Sequence, residues 1–351
     1  MGSRLIALDQ PGGPAFVEEL RQIWRAGNAA FPVDQRLPEQ AKVTVCAAMR
    51  VGEAVESGDA LVVATSGSTG SPKGVVLTHD AVAASAEATS ARLGVTGEDH
   101  WLACLPLSHV GGLSVVTRAL LGGTRLTVQP GFDATAVDAS EATLVSLVST
   151  ALTRIDPTRF RIIVLGGARP PADRPGNCVT TYGMTETGSG IVYDGVPLDG
   201  VEVRIDDGQI LVRGPMLLRG YRNGDTPLDD DGWLATGDLG GWDDSGWLRV
   251  DGRAGDLIIT GGENVWPEAV EAALQTHPSV ADVLVRGVDD AEWGQVVEAV
   301  VVPAVGAEIS LDALRSHLKL THPAFMAPKR LTLVDTLART SLGKLQRTRG
   351  G

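Results

Sequence analysis

From residue 59 to about residue 180, short apolar runs alternate with helical stretches. Residues 61–64, 101–105, 125–128, 144–148 and 161–165 read as buried strands. Helical candidates lie between them, such as 79–93, which follows Thr78, a residue type that caps helix N-termini well. Such alternation demands a layered α/β domain, because crossover helices cover both faces of a partly parallel sheet. Between about 190 and 250 the texture changes. Alternating segments at 201–205 and 209–213 are split by Asp-Gly turns and read as antiparallel strands. Past the glycine-containing stretch 252–256, the pattern predicts helices at 267–276 and 311–320 and strands at 280–286, 296–302 and 331–334. The expected fold is therefore α/β: a large layered domain with an antiparallel β portion, residues 1–253, and a small α+β C-terminal lid, residues 254–351. Residues 1 to about 58 say least. A short amphipathic helix is expected at 16–24, and the Pro-rich polar stretch 28–39 reads as a loop.

Between the first buried run and the capped helix sits Thr65-Ser66-Gly67-Ser68-Thr69-Gly70-Ser71-Pro72-Lys73-Gly74. Glycines let backbone N–H groups approach an anion, hydroxyls add donors, and Lys73 adds a point charge. That chemistry suits a polyphosphate. The stretch is not a Walker A loop, because Lys73 is followed by glycine rather than Ser or Thr. A flexible Ser/Gly turn is the competing reading.

Composition narrows the partners. The net charge is −13, which argues against nucleic acid or an anionic membrane surface as a partner but leaves room for a nucleotide held by a few local cations. Three scattered cysteines fit a reducing compartment without structural zinc. No signal pattern or bilayer-length apolar run is present, so a cytoplasmic location is expected.

The loop at 65–74 resembles the signature loop of the AMP-forming acyl-CoA synthetases. Further motifs follow in the family's order, over about residues 61–346. Pro106-Leu107-Ser108-His109-Val110-Gly111-Gly112 resembles the segment lining the acyl-substrate tunnel, which gives His109 a gating position. Leu165-Gly166-Gly167-Ala168 and Thr180-Thr181-Tyr182-Gly183-Met184-Thr185-Glu186-Thr187 resemble motifs around the nucleotide. The resemblance implies that Tyr182 stacks on adenine, Thr185 meets the α-phosphate and Glu186 helps hold Mg²⁺. An aromatic face, a hydroxyl and a hard carboxylate suit those tasks. Thr236-Gly237-Asp238 with Arg253 matches the family's ribose and phosphate contacts. Gly255 stands at the family's hinge, where Asp or Lys is usual. Gly261-Gly262-Glu263-Asn264-Val265 resembles the segment along the pantetheine route. Near the end, Arg339-Thr340-Ser341-Leu342-Gly343-Lys344 resembles the closing motif, with Ala338 where proline is usual, and makes Lys344 the catalytic lysine. A merely basic tail is the alternative there. The stretch before the signature loop is shorter than in most members of the family.

These motifs imply an ATP-dependent ligase that makes an acyl-AMP and passes the acyl group to CoA, with Mg²⁺. Arg118 bears on the acid. It lies in an otherwise apolar run, where a buried guanidinium is costly unless paired. An internal ion pair, a side chain snorkelling to the surface and a contact to a substrate carboxylate are the open readings. Its place resembles that of an arginine in the o-succinylbenzoate–CoA ligases, as does residues 191–198. An aromatic dicarboxylate is therefore the expected substrate. A general aryl- or fatty-acyl-CoA ligase and an inactive nucleotide-binding relative are the alternatives. Oligomeric state, a homo-oligomer included, is left open.

Overall fold

The computed structural model describes residues 2–65, 72–167, 171, 173–339 and 345. The chain divides into two compact units, Met1–Arg204 with Leu211–Leu234, and Ile205–Ile210 with Ala235–Gly351.

The first unit begins with strand β1 (Leu5–Leu8), helix α1 (Pro14–Arg25), β2 (Ala29–Pro32), α2 (Glu39–Ala48), β3 (Asp59–Thr65) and β4 (Lys73–Thr78). β1, β2 and β3 run parallel, and β4 returns antiparallel to β3. Helix α1 buries Phe16, Val17, Leu20 and Ile23, one stripe of its surface. Each such side chain contributes about 1.5–3 kcal/mol of hydrophobic stabilisation. Strand β2 is a departure from the loop expected at 28–39. All four of its residues are buried between two neighbours, so no alternation betrays it, and polar flanks surround it. α3 (His79–Arg92) follows, with the Thr78 hydroxyl accepting from the Ala81 N–H at 3.1 Å.

The second sheet comprises β5 (His100–Ala103), β6 (Arg125–Val128), β7 (Leu144–Leu147), β8 (Ile162–Leu165), β9 (Cys178–Gly183), β10 (Gly190–Tyr193) and β11 (Val196–Pro197). Its order is β11-β10-β9-β8-β7-β5-β6. β9, β8, β7, β5 and β6 are parallel, so their carboxyl ends share one edge. The connections include α4 (Val110–Gly122), α5 (Ala134–Asp138) and the single turn α6 (Ser149–Leu152). α3 packs against α4. A hairpin of β12 (Glu202–Asp206) and β13 (Gln209–Arg213) follows, with the division between units falling inside both strands. The two-residue β14 (Gly220–Tyr221) then pairs with β4 and completes the edge of the first sheet. The α/β layering and the antiparallel change of texture are as the sequence predicts.

In the second unit, β15 (Leu234–Trp242) and β16 (Leu248–Arg253) form a hairpin. β17 (Ile258–Thr260), β18 (Glu263–Val265), β19 (Val280–Asp290), β20 (Gly294–Pro303) and β21 (Arg330–Leu333) form a sheet, with α7 (Pro267–Gln275) and α8 (Leu311–Leu318) beside it. Val270, Leu274, Leu314 and Leu318 fill the core against Val283, Val285, Val297 and Val301. No described helix is long and apolar enough to cross a membrane.

Candidate active site

In open parallel sheets, ligands bind beyond the carboxyl ends of the strands. The first unit places its candidate residues there. Thr65 ends β3 and Lys73 opens β4, opposite each other in register, with the Thr65 hydroxyl 3.5 Å from the Lys73 carbonyl. Ser66, Gly67, Ser68, Thr69 and Gly70 connect this pair and lie outside the described residues, as do Ala168 and Lys344. Gly166 and Gly167 follow the end of β8. Thr181, Tyr182 and Gly183 form the last part of β9, and the Thr181 hydroxyl donates to the Leu165 carbonyl at 3.2 Å. Gly183 has no room for a side chain, since a Cβ there would fall 2.2 Å from the Ser189 carbonyl oxygen. Thr185 and Glu186 form one turn of 3₁₀ helix directly after it.

Two contacts tie the sheets together at these edges. The Tyr221 hydroxyl donates to Glu186 Oε1 at 3.0 Å, and Lys73 Nζ lies 4.8 Å from the centroid of the Tyr221 ring. At the other contact, Arg36 Nη2 approaches His109 Nε2 to 3.2 Å, while Arg36 also forks onto Asp34. Asp34 and Arg36 follow the end of β2, and His109 is the residue before α4. With a guanidinium N–H pointing at Nε2, the imidazole is neutral and carries its proton on Nδ1. Burial, then Arg36, pushes the His109 pKa below its ordinary value, against the opposing pull of Asp34.

Arg118 sits in the core of α4, only 2% exposed. Its guanidinium lies over the Trp101 ring at 4.9 Å, and Nη2 donates to Ser189 Oγ at 3.2 Å. Nε and Nη1 are buried without a hydrogen-bond partner, and no described carboxylate pairs with this side chain. Burial pushes its pKa down. Neither an internal ion pair nor snorkelling to the surface describes it.

In the second unit, Asp238 and Arg253 stand opposite each other on β15 and β16, Nε to Oδ1 2.9 Å. Arg253 also donates to the Thr236 carbonyl at 2.8 Å. The fifteen-residue separation in sequence is thus a direct ion pair in space. Gly255 lies in a 3₁₀ turn, Ala254–Asp256, where a Cβ would meet nothing within 4 Å. Gly261 and Gly262 form the two-residue turn between β17 and β18, with φ of +59° and +84°, the pattern of a type I′ hairpin. A Cβ on Gly261 would lie 2.6 Å from the Trp293 ring.

Three residues of this geometry are absent from the motif reading. Asp34 and Arg36 sit in a stretch read as a polar loop. Tyr221 sits in a stretch read only for its strand texture. It is one of just three tyrosines, which was the available signal.

No His, Cys, Asp or Glu cluster of metal-binding size occurs among the described residues. A single carboxylate still fits Mg²⁺, which takes one or two carboxylates together with phosphate oxygens. Glu186 has one oxygen engaged by a neutral phenol, and no salt bridge to it occurs among the described residues.

The fold is α/β, and the chain belongs to the AMP-binding enzyme family. The family's main region matches residues 20–222 and its C-terminal domain matches residues 269–344. Among relatives, a probable 2-succinylbenzoate–CoA ligase of Mycobacterium tuberculosis (strain ATCC 25618 / H37Rv) is 40% identical, over 97% of this chain and 96% of that protein. Among solved structures, the o-succinylbenzoate CoA synthetase (MenE) of Bacillus subtilis in complex with the acyl-adenylate intermediate OSB-AMP aligns with a TM-score of 0.86 at 28% identity. That match covers 100% of this chain and 89% of the other. The same enzyme with ATP and magnesium ion aligns with a TM-score of 0.85 at 28% identity, over 98% and 88%.

Proposed function

We propose that the protein is an ATP-dependent ligase that converts 2-succinylbenzoate to its CoA thioester through an acyl-AMP intermediate, in the cytoplasm. The acid's carboxylate attacks the α-phosphorus of ATP, pyrophosphate leaves, and the CoA thiol then displaces AMP from the acyl carbonyl. Both reactants of the first step are anions, so the protein's task is positioning and charge neutralisation. Lys73 and the 65–74 loop would hold phosphates, Tyr182 the adenine, Thr185 the α-phosphate, and Asp238 with Arg253 the ribose. Mg²⁺, when bound at Glu186, neutralises phosphate oxygens. His109 lines the acyl site as a neutral group. The lid boundary at 253/254, the hinge at Gly255 and the pantetheine route past Gly261 and Gly262 belong to the same proposal.

The observation that carries the choice of acid is Arg118. A desolvated guanidinium with two nitrogens unpartnered and no carboxylate beside it among the described residues is expensive. A substrate with a second carboxylate would offset that cost. The relatives' names point the same way. The test is thioester formation across aromatic diacids, monoacids and fatty acids. Arg118→Ala should raise KM for 2-succinylbenzoate by roughly 10²-fold, the loss of one buried charge-assisted contact, and spare monoacids. If the wild-type enzyme turns over benzoate or a fatty acid better than the diacid, the substrate assignment fails. If no acid supports pyrophosphate exchange, catalysis itself fails.

A further inference from the structure

The phosphate end of the proposed nucleotide site contains a cation, Lys73, and a carboxylate, Glu186, on different sheets of the same unit. A lysine and a glutamate brought side by side form an ion pair, and each then neutralises the charge the other needs for its ligand. No salt bridge joins them here among the described residues. Tyr221 stands between: its π face takes the ammonium and its hydroxyl donates to the carboxylate.

The segment around Tyr221 is built to keep it there. Tyr221 pairs with Val75 and Gly220 with Val76, so β14 lies directly alongside the strand that Lys73 opens. On one side, Arg219 forks onto Asp59 at 2.9 and 3.0 Å and reaches Glu56. On the other, Arg222 donates to the carbonyls of Met49 and Arg50. The Arg222 N–H also bonds the Gly74 carbonyl at 2.7 Å. The same segment holds Glu186 by its backbone, Leu218 N–H to the Glu186 carbonyl at 2.8 Å.

Resting on the nucleotide reading above, we infer that Tyr221 is a positioning residue that keeps Lys73 and Glu186 apart and aimed, and so tunes metal-dependent and metal-independent nucleotide affinity separately. The phenol is spent on the metal-facing carboxylate, and the ring on the phosphate-facing lysine. The two functions are separable by substitution.

Tyr221→Phe keeps the ring and removes the donor. Tyr221→Leu removes both. Nucleotide binding by calorimetry, with EDTA and with Mg²⁺, reads the split, and the Mn²⁺ EPR signal in the presence of ATP reads the metal directly. Tyr221→Phe should weaken Mg²⁺–ATP binding and Mn²⁺ capture about tenfold, the worth of one hydrogen bond to a charged group, while leaving metal-free ATP binding unchanged. Tyr221→Leu should add a roughly threefold loss of metal-free ATP binding. In a Glu186→Gln background, Tyr221→Phe should add no further loss of metal affinity. The proposal is overturned if Tyr221→Phe matches wild type in both conditions, or loses both forms equally. If wild-type protein binds Mg²⁺–ATP normally in those cases, only the role of Tyr221 falls. If wild-type protein binds no ATP at all, the nucleotide reading falls with it.

Discussion

At the scale of single residues, His109 shows how a lone histidine becomes a defined chemical group. Burial and the Arg36 guanidinium both disfavour the imidazolium, and Asp34 opposes them from 3.8 Å. Its folded pKa lies below the usual 6.5, so the folded state binds fewer protons than the unfolded chain near that pH. Its contribution therefore costs stability as pH falls through 6.5 and is neutral above it. We expect the midpoint of the His109 Cε1 proton shift to fall below 6.5, read by NMR against His109→Gln. A midpoint above 6.5 would contradict the neutral assignment. Side chains of this kind divide sharply in how readable they are. His109, Tyr182 and Glu186 belong to local motifs whose order along the chain carries the information. Arg36 and Tyr221 act through partners 73 and 35 residues away, and no local pattern encodes such a contact. Arg118 is intermediate: its apolar context exposed the conflict, but only the fold shows that no described carboxylate resolves it.

At the scale of elements, the two edges of the parallel sheet have different jobs. The carboxyl edge carries the candidate site. The amino edge is held by Asp99, 4% exposed, just before β5. Its carboxylate accepts from the Thr96 N–H at 2.9 Å and the Thr143 hydroxyl at 2.8 Å. It also accepts from Arg161 Nη2 at 2.7 Å, so it links the starts of β5, β7 and β8. Burial works against its ionisation, yet these bonds outweigh it and hold the pKa below 3.8. The stabilisation is thus complete above pH 3.8 and disappears as pH falls through the lower folded value. Asp99→Ala should cost about 2 kcal/mol at pH 7, discounted because the Arg161 side chain is 41% exposed. Urea unfolding at pH 7 and again near pH 3 tests this. A difference from wild type that does not shrink in acid would mean the loss is one of packing alone. Elements with a clear signal were legible: β5, β6, β7 and β8 of the second sheet and the capped helix α3 needed only apolar runs and Thr78. β2 was not, because four buried residues between two strands have no periodicity to read. β14 was not, because two residues form a strand only by virtue of the partner they meet.

At the scale of the whole molecule, the proposed reaction must work against charge. The protein carries −13, and both ATP and the acid are anions, so catalysis depends on a handful of cations delivered to the right atoms. In the proposed reaction, Lys344 serves the first step. Of the described residues near it in sequence, Arg339 and Leu345 form an antiparallel bridge, and Arg339 pairs with Asp282 on β19. The two half-reactions place different demands on that lysine. Negative charge builds on the α-phosphate as the carboxylate attacks, and a cation at about 4 Å is worth roughly 4 kcal/mol at an effective dielectric near 20. Thioester formation instead needs the thiol to reach the acyl carbonyl, and a lysine left beside the phosphate adds nothing there. Lys344→Ala should therefore slow adenylate formation by roughly 10² to 10³, the usual loss for one preorganised charge contact. Thioester formation from supplied acyl-AMP should change by less than about threefold on the same reasoning. Pyrophosphate release and thioester production, measured separately on the same protein preparation, give the two numbers. Equal losses in both would mean that Lys344 holds the fold or the nucleotide in general, and the division of labour between the half-reactions would have to rest on other residues.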